Sequence, residues 1–123
     1  MADTAATGTT GTIARRTSTG NRLQIVMDGP RLELVGDFDA RSTSQVRPVL
    51  HGAMAAHERV VVDLAGVANV DLTALRVLAA ASRRAHHEGR HLVLSSPRPV
   101  VVRLMHLSHL ARLLEVERLA VPA

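Results

Sequence analysis

The segment from Val67 to Leu75 places a hydroxyl side chain at the expected start of a helix. Asp71 belongs to a residue type that caps helix N-termini, so Thr73 falls in the first helical turn. Free backbone amides and the positive end of the helix dipole favour an added phosphate group there. Thr73 is therefore a candidate phosphate acceptor, although composition alone favours the simpler interpretation of an ordinary first-turn threonine on a solvated face.

Helical periodicity also predicts what surrounds this hydroxyl. If the chain is helical from Leu72 onward, one face combines small and basic side chains, with Arg76 one turn from Thr73. That face comprises Thr73, Arg76, Val77, Ala80, Arg83, Arg84 and His87. The residues expected to point to the core are Leu72, Leu75, Leu78 and Ala79.

Two carboxylates, Asp37 and Asp39, form a local pair after the expected second strand. Such a pair can divide acid and base roles between its members. The favoured interpretation is structural, because aspartates at a loop-to-helix junction accept hydrogen bonds from free backbone amides. The pair alone does not indicate an enzyme.

Histidine clustering raises a metal hypothesis at His86, His87 and His91. Adjacent histidines project about a quarter turn apart on a helix, and Gly89 interrupts the helix before His91. The favoured interpretation is solvated histidines near a helix C-terminus. Since the chain also has no cysteine and no phosphate-binding glycine loop, we expect no metal, no cofactor and no catalytic activity.

The elements that must position these residues alternate between strands and helices. A hairpin is expected from Leu23 to Val35 around Asp28-Gly29-Pro30, followed by a helix around Val46 to Met54 that Pro48 should kink or delay. Val60 to Leu64 predicts a central strand covered on both faces. A second helix is expected from Leu72, closed by Gly89, and a strand follows at Leu92 to Leu94. A third helix is expected to be capped by Ser96, to open at Pro97 and to end near Leu107. The last expected element is an edge strand at Leu114 to Arg118. This order predicts a single α/β domain of four to five mostly parallel strands and three helices, with an antiparallel N-terminal hairpin strand.

Length and composition limit the organisation of the chain. Its 123 residues fit one domain, which we place at 22–119 between a flexible Thr/Gly/Ala-rich tail at 1–21 and a short tail at 120–123. No apolar run is long enough for a membrane span or a secretion signal, so we expect a cytoplasmic protein that does not bind membranes.

Basic residues are spread along the chain, which does not favour a nucleic-acid-binding protein. All 15 Lys/Arg positions are arginine, and the formal net charge is only +4. Phe38 is the sole aromatic residue, whereas single-stranded nucleic acids are bound through aromatic stacking. We expect no direct nucleic-acid partner.

An ordered set of motifs resembles the STAS family of bacterial anti-sigma factor antagonists over roughly Leu23 to Arg118. Val35-Gly36-Asp37-Phe38-Asp39 resembles a Gly-Glu-Leu-Asp element, and Val60 to Leu64 follows in family order. Val70 to Leu75 is similar to the Asp-Ser-Ser-Gly-Leu motif, and Ser96 to Leu110 is similar to a stretch that ends in Thr-Gly-Leu. The resemblance implies the STAS fold.

The resemblance also implies a function that is switched at Thr73. In such antagonists the second serine of the motif is phosphorylated by a kinase that is also the anti-sigma factor, the unphosphorylated form binds that kinase, and a phosphatase resets the cycle. The implied partner-binding residues are Asp37, Asp39, Asp71, Leu72, Thr73, Ala74, Arg76, Val77 and Ala80. The oligomeric state is left open between a homodimer, a STAS heterodimer and neither.

This sequence departs from the family motif at three consecutive positions. Leu72 replaces the first serine, Thr73 the second, and Ala74 the glycine. Two alternatives to the switched antagonist follow. One is a degenerate STAS scaffold that is not phosphorylated and acts in a signalling complex, and the other is a small-ligand sensor or small enzyme that uses the histidines or carboxylates.

Overall fold

Residues 22–117 are described by a computed structural model, and they alternate strands with helices as predicted. The strands are β1 (Gln24–Asp28), β2 (Arg31–Phe38), β3 (Arg59–Val70), β4 (His91–Ser95) and β5 (Glu115–Glu117). The helices are α1 (Thr43–Ala56), α2 (Leu72–His87) and α3 (Pro99–Leu107), and a 3-10 turn at Ala111–Leu113 precedes β5. Both predicted tails, 1–21 and 120–123, lie outside the described residues, so the domain bounds stay predictions.

The sheet confirms the predicted α/β topology. Its strand order is β1-β2-β3-β4-β5, with β1 antiparallel to β2 and the other neighbours parallel. The first pair is the predicted hairpin, which turns at Gly29 with a positive φ. Because the strand order follows the chain and crossovers between parallel strands are right-handed, the three helices cover the same face of the sheet.

The central strand is β3, as predicted, but only one of its faces is fully covered. Val60, Val62 and Leu64 are buried, whereas Val61 and Asp63 between them are partly exposed. The Asp63 carboxylate accepts a hydrogen bond from Arg31 at 2.8 Å on that open face. The prediction of a strand covered on both faces is wrong. All three helices lie on one face of the sheet, because successive right-handed crossovers run in the same direction, and no helix is left to cover the other face of β3.

Strand β3 is also longer than predicted, and its second half carries the chain to the candidate site. The segment expected to be a loop after Leu64 is strand as far as Val70 and pairs with β2, with Asp37 opposite Asn69 and Phe38 opposite Val70. The pairing shifts register on either side of Gly36. Gly36 has a φ of 115°, and a Cβ there would overlap the carbonyl oxygen of Arg22, so a residue with a side chain would disturb this part of the sheet.

Two helix starts differ from the prediction, and prolines lie near both of them. Helix α1 begins at Thr43 and continues through Pro48, so the proposed delay is wrong. Pro48 lacks the amide that would bond the carbonyl of Ser44, but both residues are exposed and water can reach that carbonyl. Helix α3 begins at Pro99, with Arg98 in an extended conformation, instead of at Pro97. The residue before a proline is forced out of the helical region, which prevents a helix from running through Arg98 into Pro99.

Candidate functional site

Thr73 lies in the first turn of α2, immediately after the carboxyl end of the central strand. Asp71 is the N-cap, and its Oδ1 accepts a hydrogen bond from the amide of Ala74 at 2.9 Å. The Thr73 side chain is exposed, as helical periodicity predicts, and its hydroxyl makes no hydrogen bond to any residue of the range 22–117. A partner or a modifying enzyme can therefore reach this hydroxyl without opening the domain.

The second oxygen of Asp71 fixes the neighbouring loop to the same helix end. Its Oδ2 accepts a hydrogen bond from the amide of Ala40 at 2.9 Å, and the Asp71 amide donates to the carbonyl of Phe38 at 3.3 Å. One carboxylate thus joins the loop between β2 and α1 to the first turn of α2. Together with the last residues of β2 and β3, from Asp37 and Asn69 onward, these two segments form a single surface, which we call the switch end.

The two other aspartates of the switch end have partners within it. Asp37 accepts a hydrogen bond from the amide group of Asn69 at 2.9 Å. Asp39 accepts from both the backbone and the side chain of Arg41, at 3.0 and 2.9 Å. The Arg41 side-chain hydrogen bond holds the pKa of the Asp39 carboxyl below its ordinary value. Asp37 and Asp39 thus each have a separate hydrogen-bond partner.

The structure corrects three predicted side-chain positions on α2. Leu72 was expected in the core but is 37% exposed, whereas Val77 was placed on the outer face but is only 8% exposed. Ala74 is fully buried, so its side chain cannot contact a partner. Periodicity assumes that the whole helix lies on the core, but the first turn of α2 lies beyond the end of β3, and Val77 faces the neighbouring helix α1.

Helices α1 and α2 pack side by side and leave a groove of about 320 Å³ between them, which begins at Thr73. We call it the α1–α2 groove. Its α1 side is formed by Arg47, Leu50 and His51, at a helical spacing that puts them on one face. The α2 side is formed by Thr73, Arg76, Val77, Ala80, Ala81 and Arg84.

Sequence reasoning found the α2 side of this groove and missed the α1 side. Arg47 and His51 lie in the predicted helix around Val46 to Met54 and are exposed, away from its buried face. Their spacing of four residues predicts that they share one helix face. Only the packing of α1 against α2 shows that this face lies beside Arg76 and Arg84. The arginines that are spread along the sequence are therefore partly gathered by the fold.

The remaining predicted candidates do not converge on the switch end. His86 and His87 are exposed in the last turn of α2, and His91 on β4 has its Nδ1 3.1 Å from a carboxylate oxygen of Glu115 on the edge strand. No group of three potential metal ligands lies together within residues 22–117. Gly89 adopts a φ of 73° and ends α2, as predicted.

None of the helices in the described part of the chain is long and apolar enough to cross a membrane.

A family model described as "Mlab, STAS domain" matches residues 21–115 of this chain. A search of curated proteins found no match. The matched range begins just before β1 and ends at the start of β5, so it contains the whole switch end and the α1–α2 groove.

Solved structures with a similar fold include anti-sigma factor antagonists. The unphosphorylated form of the antagonist SpoIIAA superposes with a TM-score of 0.62 and 16% identity, covering 80% of this chain and 90% of that one. An anti-sigma factor antagonist from Mycobacterium paratuberculosis gives 0.64 and 15%, covering 80% and 86%. The phosphorylated form of SpoIIAA, described as a Bacillus cell fate determinant, gives 0.58 and 14%, covering 80% and 93%. At these identities the likeness shows the fold alone.

Proposed function

The chain belongs to the STAS domain family, and from this premise we propose that it is an anti-sigma factor antagonist switched by phosphorylation of Thr73. In this proposal the unmodified protein binds an anti-sigma factor that is also a serine/threonine kinase, and the sigma factor is released. Phosphorylation of Thr73 breaks the complex, and a phosphatase restores it. The protein acts in the cytoplasm by binding, with no catalysis of its own.

One observation carries the proposal: the hydroxyl of Thr73 is exposed and unpaired within the described range, at the N-terminal turn of a helix. A phosphate there gains from the positive end of the helix dipole, so the modified state is compatible with the fold. Arg76 follows one turn later on the same face and supplies a cation. The existence of SpoIIAA in unphosphorylated and phosphorylated forms supports such a switch on this scaffold.

The proposed contact surface consists of the exposed residues around Thr73 and the loop that Asp71 holds beside them. Leu72, Thr73, Arg76 and Ala80 supply accessible side chains. Asp37, Asp39 and Asp71 shape the loop through their hydrogen bonds, and Val77 lines the groove below. Ala74 is left out because it is buried.

A phosphate on Thr73 disrupts a complex on this surface for electrostatic reasons. It adds a charge of about −1.5 to −2, which a partner would have to bury and desolvate. The Asp71 carboxylate beside it adds repulsion, whereas the Asp39 carboxylate is compensated by Arg41. A loss of a few kcal/mol is sufficient, because each 1.4 kcal/mol changes the affinity about tenfold.

The proposal is tested by isolating the partner and measuring phosphate transfer. Immobilised wild-type protein is used to capture the kinase from native cell extract, and the purified kinase is incubated with ATP and either wild type or Thr73→Ala. We expect phosphate on wild type, mapped by mass spectrometry to Thr73, and none on the variant. Equal labelling of both proteins would remove Thr73 from the mechanism.

A second candidate is a STAS scaffold without phosphoregulation, acting in a larger signalling complex. The observation that favours it is local: Leu72 stands beside Thr73 where the family motif has a serine, and its exposed side chain places more volume beside the hydroxyl. Native protein that binds its partner but never carries phosphate on Thr73, including after incubation with that partner and ATP, would select this candidate.

A further inference from the structure

The rim of the α1–α2 groove, formed by Arg47, Arg76 and Arg84, carries cations without matching anions. Arg47 and Arg76 form no ion pair with any carboxylate of residues 22–117, and Arg84 has only the exposed Glu88 at 3.6 Å. No aspartate or glutamate lines the groove. Arginines gathered on both walls of a groove create a positive potential that favours an anionic partner.

The floor of the same groove is apolar and contains no buried polar side chain. It is formed by Leu50, Val77 and Ala81, which are buried, with Ala80 exposed above them. Small-molecule sites orient their ligands with convergent polar groups inside the pocket, and this floor offers none. A cationic rim over an apolar floor instead matches an amphipathic helix laid in a groove, where apolar anchors fill the floor.

A nucleic acid fits this surface less well than a protein. Phosphates would satisfy the arginines, but the groove has no Phe, Tyr or Trp side chain on which a base could stack. The single Phe, Tyr or Trp residue of the chain, Phe38, is fully buried at the end of β2. A nucleic acid in the groove would therefore leave the apolar floor without an apolar surface to contact.

We propose that the α1–α2 groove binds an acidic amphipathic helix of the protein partner, with carboxylates paired to Arg47, Arg76 and Arg84 and apolar side chains packed on Ala80 and Val77, over the buried Leu50 and Ala81. This inference rests on the proposed function only in that the chain binds a protein. It also explains why modification of Thr73 would be effective. A phosphate at the end of the groove would lie near Arg76, reduce the positive potential and repel the carboxylates of the bound helix.

The probe is a synthetic helical peptide with leucines on one face and glutamates along both sides of that face, compared with the same peptide carrying lysine for every glutamate. Each is titrated into isotope-labelled full-length protein and followed by NMR. The acidic peptide is expected to shift amide signals of residues 47–51 and 73–84, which border the groove, and the basic peptide is not. Equal binding of both peptides, shifts confined to other surfaces, or no binding of the acidic peptide at about 1 mM would overturn the proposal.

Matched variants locate the charge effect. The double variant Arg47→Glu/Arg76→Glu is expected to weaken acidic-peptide binding at least about tenfold, and Arg47→Gln/Arg76→Gln by a smaller factor. Arg83→Glu is the control, because Arg83 is exposed on the same helix but does not line the groove, and its effect should stay below about twofold. If Arg83→Glu weakens binding as much as the double variant, the rim is not the site.

The outcome separates this inference from the proposed function. Thr73→Ala should still bind the acidic peptide, whether or not Thr73 is phosphorylated in the cell. Failure of phosphate transfer with intact peptide binding would remove the switch and keep the groove. A single-stranded oligonucleotide that binds the groove more tightly than the acidic peptide would assign it to nucleic acid and overturn the inference.

Discussion

The two ends of helix α2 are both fixed by hydrogen bonds, but they leave different groups at the surface. At the C-terminal end, the amides of Arg90 and Gly89 donate to the carbonyls of Ala85 and His86 at 2.7 and 3.1 Å. This is the double hydrogen bond of a helix that ends in a left-handed residue, here Gly89. The Arg90 side chain continues to the end of α1 and donates to the carbonyls of Met54 and His57.

At the N-terminal end a single side chain, Asp71, performs the corresponding role. It caps α2 and holds the amide of Ala40 in the loop before α1. Beside it, Leu72 and Thr73 are exposed, whereas the last turn of α2 exposes no large apolar side chain. An exposed leucine next to an unpaired hydroxyl suits a surface that a partner covers, so the comparison assigns a structural role to the C-terminal end and partner contact to the N-terminal end.

Among Arg90→Ala, Asp71→Ala and Arg41→Ala, we expect the largest loss of stability for Arg90→Ala, at the C-terminal end of α2. Arg90→Ala removes a charged donor from the carbonyls of Met54 and His57 at the end of α1, and we expect the free energy of unfolding to fall by about 2 kcal/mol. Urea unfolding followed by circular dichroism measures this. Arg83→Ala, an exposed arginine on the same helix, should change the value by less than about 0.5 kcal/mol. A similar loss for both variants would mean that Arg90 does not hold α1 and α2 together.

A smaller loss of stability is expected at the N-terminal end. Asp71→Ala removes the cap of α2 and should cost about 1 kcal/mol, and hydrogen exchange of the Ala40 amide should speed up because its acceptor is gone. Glu88→Ala at the opposite end of α2 is the acidic control, since its side chain forms only an exposed pair with Arg84. Unchanged exchange at Ala40 would show that Asp71 does not fix the loop.

The smallest effect concerns the loop of the switch end and depends on pH. The pKa of Asp39 is lowered in the folded state, so its contribution to stability is present above the unfolded pKa of about 4 and is lost as the pH falls through the folded value. Arg41→Ala should raise the Asp39 pKa toward its ordinary value, as read from an NMR titration of the carboxyl carbon. Arg31→Ala, which removes the pairing with Asp63 instead, should leave the Asp39 titration in place. A shift in the Arg31 variant alone would contradict the assignment.

Local sequence signals predicted the two ends of α2 better than its surroundings. Asp71 as N-cap and Gly89 as the closing residue follow from residue chemistry over a few positions, and the structure confirms both. The exposure of Leu72 and the burial of Val77 depend on where the core ends and on where α1 lies, which helical periodicity does not contain. The extension of β3 to Val70 likewise depends on pairing with β2, because residues 65–70 have no neighbour in β4.

The candidate site shows the same division between local and long-range information. The family motifs brought Asp37, Asp39, Asp71 and Thr73 to attention, and the structure places all four at the switch end. Arg47 and His51 could not be assigned to the α1–α2 groove from sequence, because they lie more than twenty residues before Thr73 and meet α2 only through helix packing. The hydrogen bond from the Ala40 amide to Asp71 was hidden for the same reason, whereas the one from the Ala74 amide follows from the predicted N-cap.

The most direct test of the switch is the affinity of the purified anti-sigma factor for wild type, Thr73→Val and Thr73→Glu, measured by calorimetry. Valine keeps the shape without the hydroxyl and should bind within about threefold of wild type, whereas glutamate introduces a negative charge at the covered position and should bind at least about a hundredfold more weakly, a difference of about 2.7 kcal/mol. Binding of Thr73→Glu with wild-type affinity would contradict the account, because the N-terminal turn of α2 would then lie outside the interface.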